Sequence, residues 1–203
     1  MAKSETLILG ASYGSLLATK MVLAGYSVTL VCLPEEATLI NQEGTRVRLQ
    51  IRGKDEPIEI DSRKLPGRLS ATTPDAADPT TVDLVALALQ EPQYRSPGVR
   101  ELLEAVATTR RACMSIMKMP PLPYRARLPG LSTETFAHCY ADPSVWAKFD
   151  PALMTLANPD PQAFRPSPDV PDVLQVKTVC HLRPFRDFAG PIRDLVGMRA
   201  AER

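Results

Sequence analysis

No run of about eighteen or more apolar residues occurs in this chain, so no segment is expected to cross a bilayer as a helix. Charge of one sign is equally absent. Lys and Arg number 24 against 23 Asp and Glu, a net charge of +1. That balance removes the electrostatic ground for nucleic acid or an anionic membrane as a partner and leaves a small molecule as the expected one. Histidine is scarce, with 2 in 203 residues, which weakens any nucleophile triad built on it. The four cysteines, Cys32, Cys113, Cys139 and Cys180, form no Cys-x-x-Cys and speak against a zinc ribbon, a redox pair or a disulfide scaffold. His138-Cys139 and Cys180-His181 are the adjacent ligand pairs. Neighbours on a helix or strand point apart, so no metal site is expected. Met1-Ala2-Lys3-Ser4-Glu5 lacks the layout of a signal peptide, and a cytoplasmic address is the expectation.

What is present is an ordinary globular composition, 44% hydrophobic and 23% charged, with one excess. Twenty prolines are about twice the usual share of ~5%. Most stand at or beyond Pro120, which predicts an ordered α/β domain over residues 1–120 and an irregular, partly helical extension over 121–203.

Thr6-Leu7-Ile8-Leu9 is a short apolar run stopping at Gly10, the pattern of a parallel strand covered on both faces. From Ser15 the positions Leu16, Leu17, Met21, Leu23 and Ala24 recur at helical spacing, and Gly25 stands where a left-handed cap would end the helix. Residues 27–32 form a second strand. Strand, glycine turn, helix, glycine stop and strand within about 30 residues make a βαβ unit. Pro34-Glu35-Glu36 opens a short helix closed by Gly44. The alternating runs 47–51 and 58–60 read as a hairpin with one solvated face. Asp83-Leu84-Val85-Ala86-Leu87-Ala88-Leu89-Gln90 returns to the sheet centre, an amphipathic helix spans 98–110, and 113–117 is the next central strand. Further on, Ser132-Thr133-Glu134-Thr135 offers a capping box for a helix to residue 140, and Pro143 starts another. Residues 152–156 read as a strand, 158–171 as a loop with five prolines, 173–179 as a strand or a helix, and 185–203 as a basic, moderately helical tail.

A dinucleotide-binding turn needs glycine where backbone approaches a pyrophosphate, and uses the free N–H groups of the following helix to hold the anion. The usual spacing is Gly-x-Gly-x-x-Gly. Here Gly10-Ala11-Ser12-Tyr13-Gly14-Ser15 replaces the middle glycine or shortens the turn by one residue. Gly10, Ser12, Tyr13, Gly14 and Ser15 are the expected pyrophosphate contacts, with the Ser12 hydroxyl a donor to phosphate. The ribose is read at the tip of the second strand, where an acid favours NAD and an arginine NADP. That tip is Cys32-Leu33-Pro34-Glu35, so Cys32 and Leu33 are expected beside the ribose, Glu35 or Glu36 is the nearest acid, and the choice of cofactor stays open.

The run from Leu7 through Ala18, the run Ala24-Gly25-Tyr26-Ser27-Val28-Thr29-Leu30-Val31, and the Asp83 strand with Gln90 and Gln93 together resemble the amino-terminal domain of the ketopantoate reductase family over about residues 5–120. The resemblance implies a Rossmann-type parallel sheet flanked by helices, NADPH as reductant with NADH not excluded, and reduction of a small 2-oxo acid. It also implies a lysine that protonates the developing alkoxide. At the end of the Asp83 strand, where the family carries lysine, this chain has Gln90, which is expected to line the nicotinamide side. Where the family has Asn-Gly, it reads Met117-Lys118-Met119-Pro120. Lys118, at the carboxyl end of a central strand, is the candidate proton donor, since partial burial lowers a lysine pKa toward a useful range. Glu91 and Gln93 are further candidates for substrate or ribose contact. The family's helical carboxyl-terminal domain has no clear counterpart here.

None of the five tyrosines has a lysine four residues on, which disfavours a short-chain dehydrogenase. A second reading is a non-catalytic nucleotide-binding or interaction module that keeps the fold and forms a homodimer through its proline-rich half.

Overall fold

The computed structural model describes residues 4–49, 56–116, 119–128, 130, 132–157, 163–164, 167–170 and 172–176. Its elements in chain order are β1 (Glu5–Leu9), α1 (Ala11–Leu23), β2 (Ser27–Val31), α2 (Pro34–Glu43), β3 (Arg46–Leu49), β4 (Ile58–Asp61), β5 (Arg68–Thr72), β6 (Leu84–Leu87), α3 (Val99–Thr109), β7 (Ala112–Ser115), α4 (Leu122–Arg125), α5 (Thr133–Ala137), β8 (Met154–Leu156), β9 (Ala163–Phe164) and β10 (Val173–Val176). Six strands form one sheet in the order β5-β2-β1-β6-β7-β8, and every neighbouring pair is parallel. Numbered along the chain within that sheet, this is the 3-2-1-4-5-6 order of a Rossmann fold.

The apolar runs are continuous because the sheet is covered on both sides. Successive strand residues face opposite ways. Ile8 and Ala86 join the core beneath α1 and α2, while Leu7, Leu9, Val85 and Leu87 join the core beneath α3. Helix α1 is buried almost all round, from Gly14 through Thr19 and again at Met21 and Val22. It lies on the large sheet and also touches β3, β9 and β10 of a second, four-stranded sheet, ordered β4-β3-β10-β9. A helix enclosed in this way has no need of a polar face. The hairpin of β3 and β4 is antiparallel, as its alternation predicts.

Several expectations are corrected here. Strand β5 went unrecognised in the sequence because its five residues, Arg-Leu-Ser-Ala-Thr, make a weak apolar signal. Its outer edge is paired by a side chain, Asn41 of α2, which donates to the Ala71 carbonyl and accepts from the Ala71 N–H, both at 2.8 Å. Satisfying an edge in this way lets a short strand persist. Ser132 does not close a capping box: its hydroxyl goes to the Glu134 carboxylate and α5 ends at Ala137. Within 158–171 the described residues 163–164 form a short strand, β9, and of the two readings of 173–179 the strand is the one formed over the described residues 173–176, β10 pairing parallel to β3. Strand β8 carries the large sheet beyond residue 120. Tyr140, Val145, Trp146 and Phe149 fill the core beneath α3, so the sheet and its packing extend well into the expected irregular part. Ion pairs of Arg100 with Asp142, Arg110 with Asp150 and Lys148 with Glu104 tie that segment to α3. The expected basic tail lies outside the described residues. Among the described residues no helix is long and apolar enough to cross a membrane.

A candidate dinucleotide crevice

The connections leaving β1 and β6 run to opposite faces of the sheet, which opens a crevice at the carboxyl ends of those strands. A cavity of about 790 Å³ occupies it. Its floor is Leu9-Gly10-Ala11-Ser12-Tyr13, one wall is Val31-Cys32-Leu33-Pro34 with Glu36, and the opposite wall is Ala88-Leu89-Gln90 with Gln93 and the run from Ser96 to Val99. Thr73, Pro74 and Asp75, just past β5, complete the rim beside β2.

Gly10 makes this geometry possible. Its φ of 103° lies in a region that side chains rarely adopt, and a Cβ there would sit 2.9 Å from the Ala88 carbonyl oxygen and 2.9 Å from Leu89 Cδ2. The tight turn lets α1 begin at Ala11, earlier than the sequence suggests. Gly14 N–H donates to the Gly10 carbonyl at 3.1 Å, the first bond of the helix ladder. The N–H groups of Ala11, Ser12 and Tyr13 therefore precede any intrahelical acceptor. No side chain caps this end, and its first turn carries no acid. Helix α3 differs, since Glu101 accepts from the N–H of its own N-cap residue, Gly98. The mouth of α1 is an electropositive end opening on a cavity, the arrangement that holds phosphate.

The expected contacts divide. Gly10, Ser12 and Tyr13 line the crevice, as do Cys32, Leu33 and Gln90. Gly14 and Ser15 do not. Gly14 packs α1 onto the sheet, where a Cβ would meet Ile8 Cγ2 at 2.7 Å. The last glycine of a Gly-x-Gly-x-x-Gly turn packs helix on strand in the same way, and Gly14 stands one residue earlier than that spacing. Ser15 is buried and its hydroxyl donates back to the Ala11 carbonyl, so it faces the helix and not the cavity. Gln93 lines the cavity, and its side-chain oxygen accepts the Gln90 N–H at 2.8 Å. Glu91 turns away to accept from the Ala141 N–H at 3.0 Å. Lys118 lies outside the described residues, as do Cys180 and His181. No group of three or more His, Cys, Asp or Glu suited to a metal occurs among the described residues.

Sequence reasoning missed two parts of the rim, the turn after β5 and the run Ser96-Pro97-Gly98. Recognition of β5 would have supplied the first, because β5 pairs with β2 and its carboxyl end opens on the same side of the sheet. The Asp75 carboxyl is held below the usual carboxylate range by a hydrogen bond from the Thr73 side chain. Leu33, 65% exposed at the rim, offers an apolar surface to a ligand. Burial pushes the Cys113 thiol up to about 12, so it is an inert core group.

No protein-family model matches the chain, and no curated protein matches it. Solved structures do. A protein of Ralstonia solanacearum MolK2 described as a ketopantoate reductase matches with a TM-score of 0.57 at 15% identity, covering 87% of this chain and 50% of that one. A protein of Enterococcus faecalis described as a 2-dehydropantoate 2-reductase gives 0.53 at 18% identity, with coverages of 86% and 46%. One of Bacillus subtilis, described in the same words, gives 0.50 at 15%, with 85% and 46%. The chain thus spans about half the length of the structures it matches. The expected likeness to the amino-terminal domain of ketopantoate reductases holds at the level of fold.

Proposed function

We propose that the crevice binds a nicotinamide dinucleotide and that the chain is the cofactor-binding part of an NAD(P)-dependent oxidoreductase acting on a small carbonyl compound. The observation that carries this reading is the uncapped amino terminus of α1 at the floor of the cavity, with Gly10 pressed against Ala88 to keep it open. The pyrophosphate would take the N–H groups of Ala11, Ser12 and Tyr13 and the Ser12 hydroxyl. The adenosine would lie toward Cys32 and Leu33, its base against the exposed Leu33 side chain. The nicotinamide would lie toward Ala88 and Gln90, where Gln90 and Gln93 are able to hydrogen-bond its amide.

When bound, the reduced nicotinamide supplies hydride to a carbonyl carbon. The chain's part is to orient the ring and to protonate the developing alkoxide, and Lys118 is the residue proposed for the proton. The resemblance brings NADPH as the reductant and a 2-oxo acid as the substrate. A second reading, a nucleotide-binding module without turnover, is favoured by the neutral Gln90 at the nicotinamide wall.

Titration with reduced nicotinamide dinucleotides, followed by loss of their absorbance on addition of 2-oxo acids, separates the readings. Binding with turnover supports the reductase, and Lys118→Met should then lower turnover at least about tenfold, the low end of general-acid effects. Binding without turnover supports the module. Absence of binding overturns both.

A further inference from the structure

We propose that the adenosine end of this crevice selects NAD(H) over NADP(H), against the preference that the family resemblance brings. The inference rests on the dinucleotide reading and adds a choice between carriers that differ by one phosphate on the adenosine ribose.

With the pyrophosphate at the mouth of α1, the ribose falls between the ends of β2 and β5. The charged side chains lining the cavity there are Glu36, from the first turn of α2, and Asp75, from the turn after β5; among the described lining residues there is no Lys or Arg. A carboxylate accepts the O–H of a ribose 2′-hydroxyl and repels a phosphate dianion on the same oxygen. Asp75 is exposed, and the hydrogen bond from Thr73 favours its carboxylate form.

Helix α2 could have rescued a 2′-phosphate, because helix amino termini bind anions. Its sequence prevents this. Pro34 at its first position has no N–H to donate, and Glu35 and Glu36 place two negative charges in its first turn. The electropositive helix end in this crevice is therefore that of α1, which the pyrophosphate occupies.

The test is an equilibrium titration of the full chain with NADH and with NADPH, read by nicotinamide fluorescence at low and at raised ionic strength. NADH should bind at least about tenfold tighter, ~1.4 kcal/mol. The gap should narrow as the screening length falls below about 10 Å above 0.1 M salt. Glu36→Gln with Asp75→Asn, at two residues that line the cavity, should bring the two affinities within about threefold. Equal affinity or an NADPH preference in the wild-type chain overturns the selectivity and leaves the dinucleotide reading standing. An unchanged ratio in the double variant overturns the assignment to these carboxylates, and binding of neither carrier removes both the inference and the reading beneath it.

Discussion

The backbone of Gly10 runs so close to that of Ala88 that a Cβ on residue 10 would lie 2.9 Å from the Ala88 carbonyl oxygen. Two strands adjacent in the sheet but nearly eighty residues apart in sequence thus meet at the floor of the crevice. Gly10→Ala combines this clash with a positive φ, and strain of that kind costs about 1–3 kcal/mol. A lower midpoint in urea and weaker dinucleotide binding are expected together. An unaltered midpoint would show that the turn is slack.

Gly14→Ala sets two effects against each other. Alanine favours a helix interior over glycine by up to ~1 kcal/mol, whereas overpacking a core costs roughly 1–3 kcal/mol. A Cβ at residue 14 would meet Ile8 Cγ2 at 2.7 Å and Leu30 Cδ2 at 3.3 Å, so overpacking should win. Thermal denaturation should show a lower transition, and a higher one would contradict the packing.

The two serines of the turn should behave oppositely. Ser12 is exposed at the cavity floor, and Ser12→Glu puts a negative charge where the pyrophosphate is proposed, so affinity should fall more than about tenfold. Ser15 is buried against the Ala11 carbonyl, and Ser15→Ala should leave affinity within about twofold. Calorimetric titration of both variants checks the pair, and similar losses in each would contradict the site.

Trp146 packs against Tyr94 with ring centroids 5.0 Å apart and against Phe149 at 5.6 Å. Its indole N–H is buried without a partner among the described residues. Trp146→Phe removes that donor and should cost less than about 1.5 kcal/mol, while Trp146→Ala should cost about 3–5 kcal/mol. Urea unfolding followed by far-ultraviolet circular dichroism suits both variants, since Trp146 is the chain's one tryptophan. Equal losses would mean that the N–H has a partner after all.

Asp142 is held below the usual carboxylate range by the Ser144 hydroxyl and backbone N–H, with Arg100 adding to them, and Glu104 is held down by Lys148. A depressed folded-state pKa stabilises the fold above the unfolded value, near pH 4, and that contribution is lost as pH falls through the folded value. Stability should therefore decline below roughly pH 4. Asp142→Asn should flatten part of the decline, and pH-dependent thermal melts of both proteins measure it. An identical slope in the variant would show that Asp142 does not contribute.

The βαβ opening was legible because its strands alternate between two apolar cores and its helix is bracketed by Gly10 and Gly25. Strand β5 was not. An edge strand of five mixed residues has no periodicity to display, and what completes it is the side chain of Asn41, thirty residues earlier. Ser15 shows the same limit within the turn. Its residue type suits a phosphate contact, and only the helix register decides that its hydroxyl faces Ala11.

Residue order alone determined where the central strands and their helices fall, since buried parallel strands must be apolar on both faces and glycine must stand where side chains cannot. Tertiary structure decided which turn residues look into the crevice, set both Asp75 and Glu36 in its lining, and carried the sheet on to β8. Those outcomes depend on contacts between segments far apart along the chain, which local propensity does not encode.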